Sequence, residues 1–299
     1  MEYMQARLAL PEGETAELLQ WLHLSGAGQL VEIESVQGGC INDSHLITTS
    51  TGNQFFLKTH GSAPPGFFLA EAAGLEEIAT TNTLDTPTVH RVSDHFLLMD
   101  YIPAVGRCSD YWEVLGQQLY RMHNDNKARQ HNTEFGFTDN FCGLTPQINT
   151  PMADGYEFFA TFRLQAQAKR AFDSQKLAAA DLKQIDAICN ALPDLIPDQP
   201  PALVHGDLWS GNVIVNSSGQ PTLIDPACYY GWAESDLAMT TLFGGFPDAF
   251  YSAYEQSGAV APDWRSRKDI YNLYHLLNHL NLFGSGYFTS VKDILKRFS

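Results

Sequence analysis

Residues 204–226, VHGDLWSGNVIVNSSGQPTLIDP, constrain this chain more than any other segment. Glycines at 206 and 211 break any helix, so Asp207 and Asn212, five positions apart, share a loop. Asn212 leads into a short apolar strand, NVIV. A turn at Asn216-Ser217-Ser218-Gly219 reverses the chain, and TLID delivers Asp225 thirteen positions after Asn212. The hairpin thus carries Asp225 back to the neighbourhood of Asn212. Two oxygen ligands fixed by a hairpin, with a further carboxylate close by, suit Mg2+, which prefers hard oxygen donors and is usually completed by water and substrate phosphates. Asp207 is then left to meet a substrate hydroxyl. Each Asp alone is an ordinary turn residue; their joint spacing carries the reading.

Around this segment the hydrophobic period changes once. An opening helix is predicted over residues 14–24, then a strand over 30–36. SHLITT and QFFLKT flank the turn cluster Ser50-Thr51-Gly52-Asn53 and read as a hairpin. Two more strands fit residues 88–92 and 95–101. Between the third strand and the fourth, FFLAEAAGLEEIAT sets Phe68, Ala72, Leu75 and Ala79 on one helical face. From Ser109, read as an N-cap, the pattern turns helical: SDYWEVLGQQLYRMH, then 156–172, 178–192, 234–243, 248–256, 264–282 and 291–298. The expected fold is α+β and bilobal. A five-stranded antiparallel sheet with one helix occupies residues 1–101, and a mostly helical lobe occupies 102–299.

Charge narrows the partners. Eighteen Lys and Arg against 34 Asp and Glu leave a formal net charge of −16, whereas a chain gripping nucleic acid or an anionic membrane by charge would be basic. Phosphate must therefore be met by a few placed groups and a metal. The five cysteines, Cys40, Cys108, Cys142, Cys189 and Cys228, are widely spaced without a CxxC pair. That argues against a disulfide framework or zinc knuckle and for a reducing compartment. The N-terminus lacks a signal-peptide core and no apolar run reaches the length of a membrane span, so a cytoplasmic protein is expected.

HGDLWSGN followed by DPACYYG resembles the fructosamine kinase (ketosamine 3-kinase) family, within the protein-kinase-like, aminoglycoside phosphotransferase superfamily. The likeness extends to GGCIND, FLKTH, FxxEAAGL, LGQQLYRMH and FGFTDNFCGLTPQINT, from about residue 32 to residue 253. The resemblance implies a kinase-like fold, ATP and Mg2+. It makes Asp207 the base and Asn212 and Asp225 the metal ligands. Lys58 would hold the nucleotide α/β-phosphates, fixed by Glu71 thirteen positions later. Gly38 and Gly39 would bring backbone amides to the phosphates, with Ser44 or neighbouring amides beside them. The connector around Asp100 and Ile102 would hydrogen-bond adenine, with Met99 lining the pocket. Asp236 would hydrogen-bond the catalytic loop and His205 would organise it. Trp209 is either a core anchor or a face for the acceptor sugar. Cys40, on the phosphate-side loop, is either a small apolar filler or a redox-sensitive thiol. The implied acceptor is a small-molecule ketosamine or glycated amine, phosphorylated on the sugar 3-hydroxyl so that the adduct breaks down, a deglycation or repair role. A monomer or weak homodimer is expected, and a carboxylate of ordinary pKa at Asp207 would suffice.

Some features depart from neighbouring patterns. The protein-kinase GxGxxG is absent, which leaves open how far the first loop covers the nucleotide, and no GxxxxGK[ST] is present. His275 and His279 stand i, i+4, but HLLNH lacks the Glu of HExxH, so they read as ordinary helix histidines. Two alternatives stay open: a kinase of another small hydroxylated amine (an aminoglycoside, choline or a sugar), and a non-catalytic kinase-like binding protein. Intact Lys58, Glu71, Asp207, Asn212 and Asp225 weigh against the second.

Overall fold

Strand alternation sorts the front of the molecule onto two covers, because successive side chains point to opposite faces. The computed structural model describes residues 8, 10–36, 42–125, 133–258, 260–261 and 263–299. Helix α1 (Glu12–Leu24) precedes strands β1 (Leu30–Ser35), β2 (Asp43–Thr49) and β3 (Gln54–Thr59). Helix α2 (Phe67–Thr80) follows, then β4 (Val89–Val92) and β5 (Phe96–Asp100). The five strands form one antiparallel sheet in the order β1-β2-β3-β5-β4. One face buries Ile33, Ile47, Leu57, Phe96 and Leu98 against Leu18 and Leu22 of α1. The other buries Leu97 and Met99 against Phe67, Phe68, Ala72 and Leu75 of α2. Fully burying such an aliphatic or aromatic side chain contributes about 1.5–3 kcal/mol, so α2 is firmly docked. Lys58 follows Leu57 by one position and so faces α2.

The rest is mostly helix. Helix α3 (Tyr111–His123) leads to a hairpin, β6 (Asn140–Cys142) with β7 (Thr145–Gln147). Helix α4 (Gly155–Phe158) passes through a π-helical stretch (Phe159–Gln165) into α5 (Ala166–Asp173), and α6 (Ala179–Leu195) follows. Strand β8 (Ala202–Val204) pairs with β11 (Tyr229–Gly231) around the hairpin of β9 (Val213–Val215) and β10 (Pro221–Leu223). Helices α7 (Ala233–Met239), α8 (Asp248–Gln256), α9 (Trp264–Phe283) and α10 (Phe288–Phe298) complete the chain. Helices α3 and α8 approach so closely that a Cβ on Gly116 would lie 2.3 Å from the Phe250 carbonyl oxygen.

Several expectations need correction. The N-cap of α3 is Asp110, not Ser109. The single helix expected over 156–172 is interrupted by the π-helical stretch, which carries the fully buried Arg163. Its guanidinium donates to the Ile148 carbonyl (3.0 Å) and Asn149 Oδ1 (2.6 Å) and lies 4.0 Å from the Tyr229 ring. Helix α7 stops at Met239, short of residue 243, since Phe243, Gly244 and Gly245 all adopt positive φ. The pairs β6–β7 and β8–β11 were not anticipated, because three-residue strands are too short to show a period. Gly38, Gly39 and Cys40 lie outside the described residues.

Candidate active site

Lys58 sits opposite Ser44 of β2 and Leu97 of β5, aimed at α2. Its ammonium donates to Glu71 Oε1 at 2.6 Å and is also paired with the Asp225 carboxylate. Burial alone would lower the Lys58 pKa, but the charges of Asp225 and Glu71 outweigh it, and the ammonium is held firmly protonated. The pair expected from positions 58 and 71 is formed, and it is joined by Asp225, 167 positions away from Lys58.

The loop carrying Asp207 is fastened from below. Asp236, on α7, accepts the backbone N–H groups of His205 (2.7 Å) and Gly206 (3.0 Å). It also accepts from His123 Nε2 at 3.1 Å, whose Nδ1 meets the Tyr254 hydroxyl at 2.8 Å. Burial opposes ionisation of Asp236, yet these donors hold its pKa below the ordinary value. Gly206 has φ +80°, and a Cβ there would lie 2.1 Å from the Ala227 carbonyl oxygen, so only glycine fits. Burial lowers the His205 pKa, and the neutral ring donates Nε2–H to the Ile224 carbonyl at 2.9 Å. Its Nδ1 accepts the Asp207 amide at 3.3 Å. His205 is thus an organiser that ties the Asp207 loop to the Asp225 loop. The Ile224 amide donates to the Asn212 carbonyl at 3.1 Å, adding a second tie.

Asn212 donates from Nδ2 to the Asp207 carbonyl (2.9 Å) and to Asp207 Oδ2 (3.2 Å), so its Oδ1 is the atom left to face a cation. Asp225 is held at φ +57°, a left-handed backbone uncommon outside glycine, with 36% of its side chain exposed. Burial, then the charge of Asp225, pushes the Asp207 pKa up to about 7, well above the ordinary carboxylate that would suffice for the chemistry. Two carboxylates beside an amide oxygen form a hard oxygen donor set. Those residues fit Mg2+.

Trp209 belongs to none of the hydrophobic cores. It is half-buried, packs over Gly211, and meets Phe243 edge-on with ring centroids 6.2 Å apart. Phe243 continues to His279 at 4.8 Å, giving an aromatic row beside the loop. Met99 is buried on the α2 face of the sheet. The Asp100 amide already donates to the Thr88 carbonyl (3.0 Å), and its carboxylate takes the Thr88 amide (3.1 Å) and His90 (2.7 Å). The connector through Ile102 follows directly on this strand end. The hairpin β6–β7 is a brace that sequence reasoning did not assign. Asn140 Nδ2 donates to the Cys228 carbonyl at 2.6 Å, and Gln147 Nε2 donates to the Ala227 carbonyl at 3.2 Å.

With this geometry in hand, comparison with known proteins is direct. A model of the fructosamine kinase family matches residues 15–299. The chloroplastic protein-ribulosamine 3-kinase of Arabidopsis thaliana is 39% identical over 286 residues, covering 92% of this chain and 85% of the relative. The ketosamine-3-kinase of Mus musculus is 34% identical over 294 residues, covering 88% and 93%. A crystal structure from Thermobifida fusca, assigned as a fructosamine-3-kinase, superposes with a TM-score of 0.83 at 31% identity, covering 93% of this chain and 96% of that one. The streptomycin–ATP ternary complex of APH(2'')-IIa shares the fold at a TM-score of 0.61 and 14% identity, covering 96% and 97%. Among the described residues, no helix is long and apolar enough to cross a membrane.

Proposed function

The chain belongs to the fructosamine kinase family and is an ATP-dependent phosphotransferase with an alcohol acceptor, and on that premise we propose its substrate and the division of labour among its residues. The acceptor is a ketosamine, a fructosamine or ribulosamine adduct of an amine. It is phosphorylated on the sugar 3-hydroxyl, which destabilises the adduct and serves deglycation. Residues 1–101 hold the nucleotide; residues 102–299 supply the catalytic loop and the acceptor site. The protein works in the cytoplasm as a monomer or weak homodimer.

One observation carries the reading: Lys58, Glu71 and Asp225 form a single ion-paired group, while the same hairpin presents Asn212 bonded to Asp207. Phosphoryl transfer has a loose transition state, so positioning and charge neutralisation dominate. Lys58, held by Glu71, exchanges its pairing with Asp225 for the α/β-phosphate oxygens of ATP. Asn212 and Asp225 are the residues that would hold Mg2+, whose chemistry there is to neutralise phosphate charge. Asp207 orients the acceptor hydroxyl and takes its proton, and a carboxylate near pH 7 in affinity is suited to that exchange. His205 and Asp236 keep the loop in place. Trp209 offers its face to the acceptor sugar, and the connector carbonyl at Asp100 and the backbone of Ile102 meet adenine over Met99.

Phosphorus NMR of reactions with Mg-ATP and amine adducts of fructose and ribulose tests this directly. The expected product carries a phosphomonoester on the sugar C3. Transfer to aminoglycosides or choline in preference to ketosamines, or ester formation at another hydroxyl, overturns the substrate assignment.

A further inference from the structure

Against Asp207 of the catalytic loop stand two donors that phosphoryl transfer does not use. Cys142 Sγ at the end of β6, a carboxylate oxygen of Asp207, and a ring nitrogen of His275 on α9 all lie within 4.8 Å of one another. Cys142 and His275 are 2% and 3% exposed. The His275 Nδ1 is buried with no hydrogen-bond partner, a position that ordinarily costs on the order of 1–3 kcal/mol. Burial, then the neighbouring His279, pushes the His275 pKa down to about 3, so the imidazole is neutral and its lone pair free to ligate.

Sulfur, imidazole nitrogen and carboxylate oxygen together are borderline-soft donors. They match a three-ligand zinc site with an open fourth position, and they are foreign to Mg2+. Tetrahedral Zn2+ with bonds of about 2.0–2.3 Å sets its ligand atoms roughly 3.5 Å apart. Closing the observed 4.8 Å needs about 1 Å of side-chain movement. Burial, then the charge of Asp207, raises the Cys142 thiol, which must lose its proton to ligate, and the Asn278 amide already donates to that sulfur at 3.3 Å. The Arg163 guanidinium also favours the thiolate. Both groups support the charged form a metal requires.

We propose that Cys142, Asp207 and His275 bind Zn2+, and that this metal inhibits the enzyme by withdrawing Asp207 from the acceptor hydroxyl. The metal-binding half stands on the geometry alone; the inhibitory half rests on the role given to Asp207 above. Binding displaces to solvent the Cys142 thiol proton and the fraction of a proton held by the Asp207 carboxyl, as the sulfur–zinc and oxygen–zinc bonds form, and involves no redox change. Inhibition is competitive with the acceptor and non-competitive with Mg-ATP.

The test begins with Co2+ as a spectroscopic stand-in, added to the nucleotide-free full chain. We expect one equivalent to produce a near-ultraviolet thiolate-to-cobalt band and the intense visible bands of a four-coordinate ion, both displaced by Zn2+. Cys142→Ser should abolish the thiolate band, and His275→Gln should weaken cobalt binding by at least about tenfold. In kinase assays at saturating Mg-ATP, each variant is compared with its own metal-free rate. The zinc concentration for half-inhibition should rise at least about tenfold in both. Circular dichroism melts establish that each variant is folded, and His275→Gln carries the test should Cys142→Ser not fold. A thiolate band unaffected by Cys142→Ser, no band at all, or equal zinc sensitivity in wild type and variants overturns the proposal. Should the protein fail to phosphorylate ketosamines, the cobalt spectra still decide whether the metal site exists.

Discussion

On the phosphate side, Lys58 has two carboxylate partners, and its buried charge is balanced within the fold. On the side proposed for the acceptor, Asp207 has the amide of Asn212 but, among the described residues, no paired cation. Its surroundings are the thiol of Cys142, the neutral His275 and the aromatic row starting at Trp209. The first group is satisfied before any ligand arrives, so breaking it costs stability. The second is left electrostatically incomplete, and its cost is recovered only when substrate or cation enters. Active sites commonly trade stability for chemistry in this way. The two regions share one loop system, yet they should respond oppositely to substitution.

The largest expected effect is catalytic. Asp207→Asn should lower kcat by about 10²–10⁴, the range for loss of a general base, while leaving ATP binding and the melting temperature undiminished. Single-turnover kinetics with a thermal melt check this, and retained turnover breaks the assignment. Lys58→Ala should behave the other way round, with stability falling by about 3–5 kcal/mol as Glu71 loses its counter-charge in the interior. The Asp225 pairing adds little to that figure because its carboxylate is a third exposed to screening water. Urea unfolding measures the loss, and an unchanged midpoint would mean the two regions are not built differently.

Trp209→Ala sharpens the contrast further. The acceptor KM should rise by about tenfold, the worth of one lost stacking face, with the ATP KM unchanged. An unaltered acceptor KM removes Trp209 from the substrate site. The smallest effect concerns pH. His205, His275 and His279 all have pKa values lowered by burial. Their stabilising effect is complete above the unfolded value near 6.5 and is lost as pH falls toward the folded values. Each group contributes a limiting slope of about 1.4 kcal/mol per pH unit between its two values, and only a fraction of that between pH 7 and 6. The raised carboxyl of Asp207 acts with the opposite sign below pH 7 but is common to wild type and variant, so from pH 7 to pH 5, in the presence of a chelator, the urea midpoint of wild type should fall relative to that of His275→Gln.

Much of this site was legible in the chain. Glycines flanking Asp207 and Asn212 forced a loop, and NSSG between two apolar runs forced a hairpin, because those are local backbone rules. The Lys58–Glu71 pair was readable only through the family resemblance, since alone each is an ordinary charged residue of a strand or a helix. The brace of Asn140 and Gln147 was not, since its strands are three residues long and its partners are carbonyls 80 or more positions away. Nor was the company of His275. The HLLNH pattern lacked a ligand on its own helix, and the groups that meet it come from β6 and the catalytic loop.

Local spacing therefore determined the order of strands and helices and the loop and hairpin that carry Asp207, Asn212 and Asp225, because dihedral preferences and side-chain periods act over a few residues; the ion-pair and base candidates came from the family resemblance. The tertiary structure alone decided that Asp225 reaches Lys58 across the two parts of the chain, and that the Asp207 carboxyl binds its proton near neutrality. It also decided that a sulfur and an imidazole stand beside that carboxyl. Those outcomes depend on burial and on distances between segments far apart in the chain, which are set when helix and sheet faces pack and are written in no single stretch of residues.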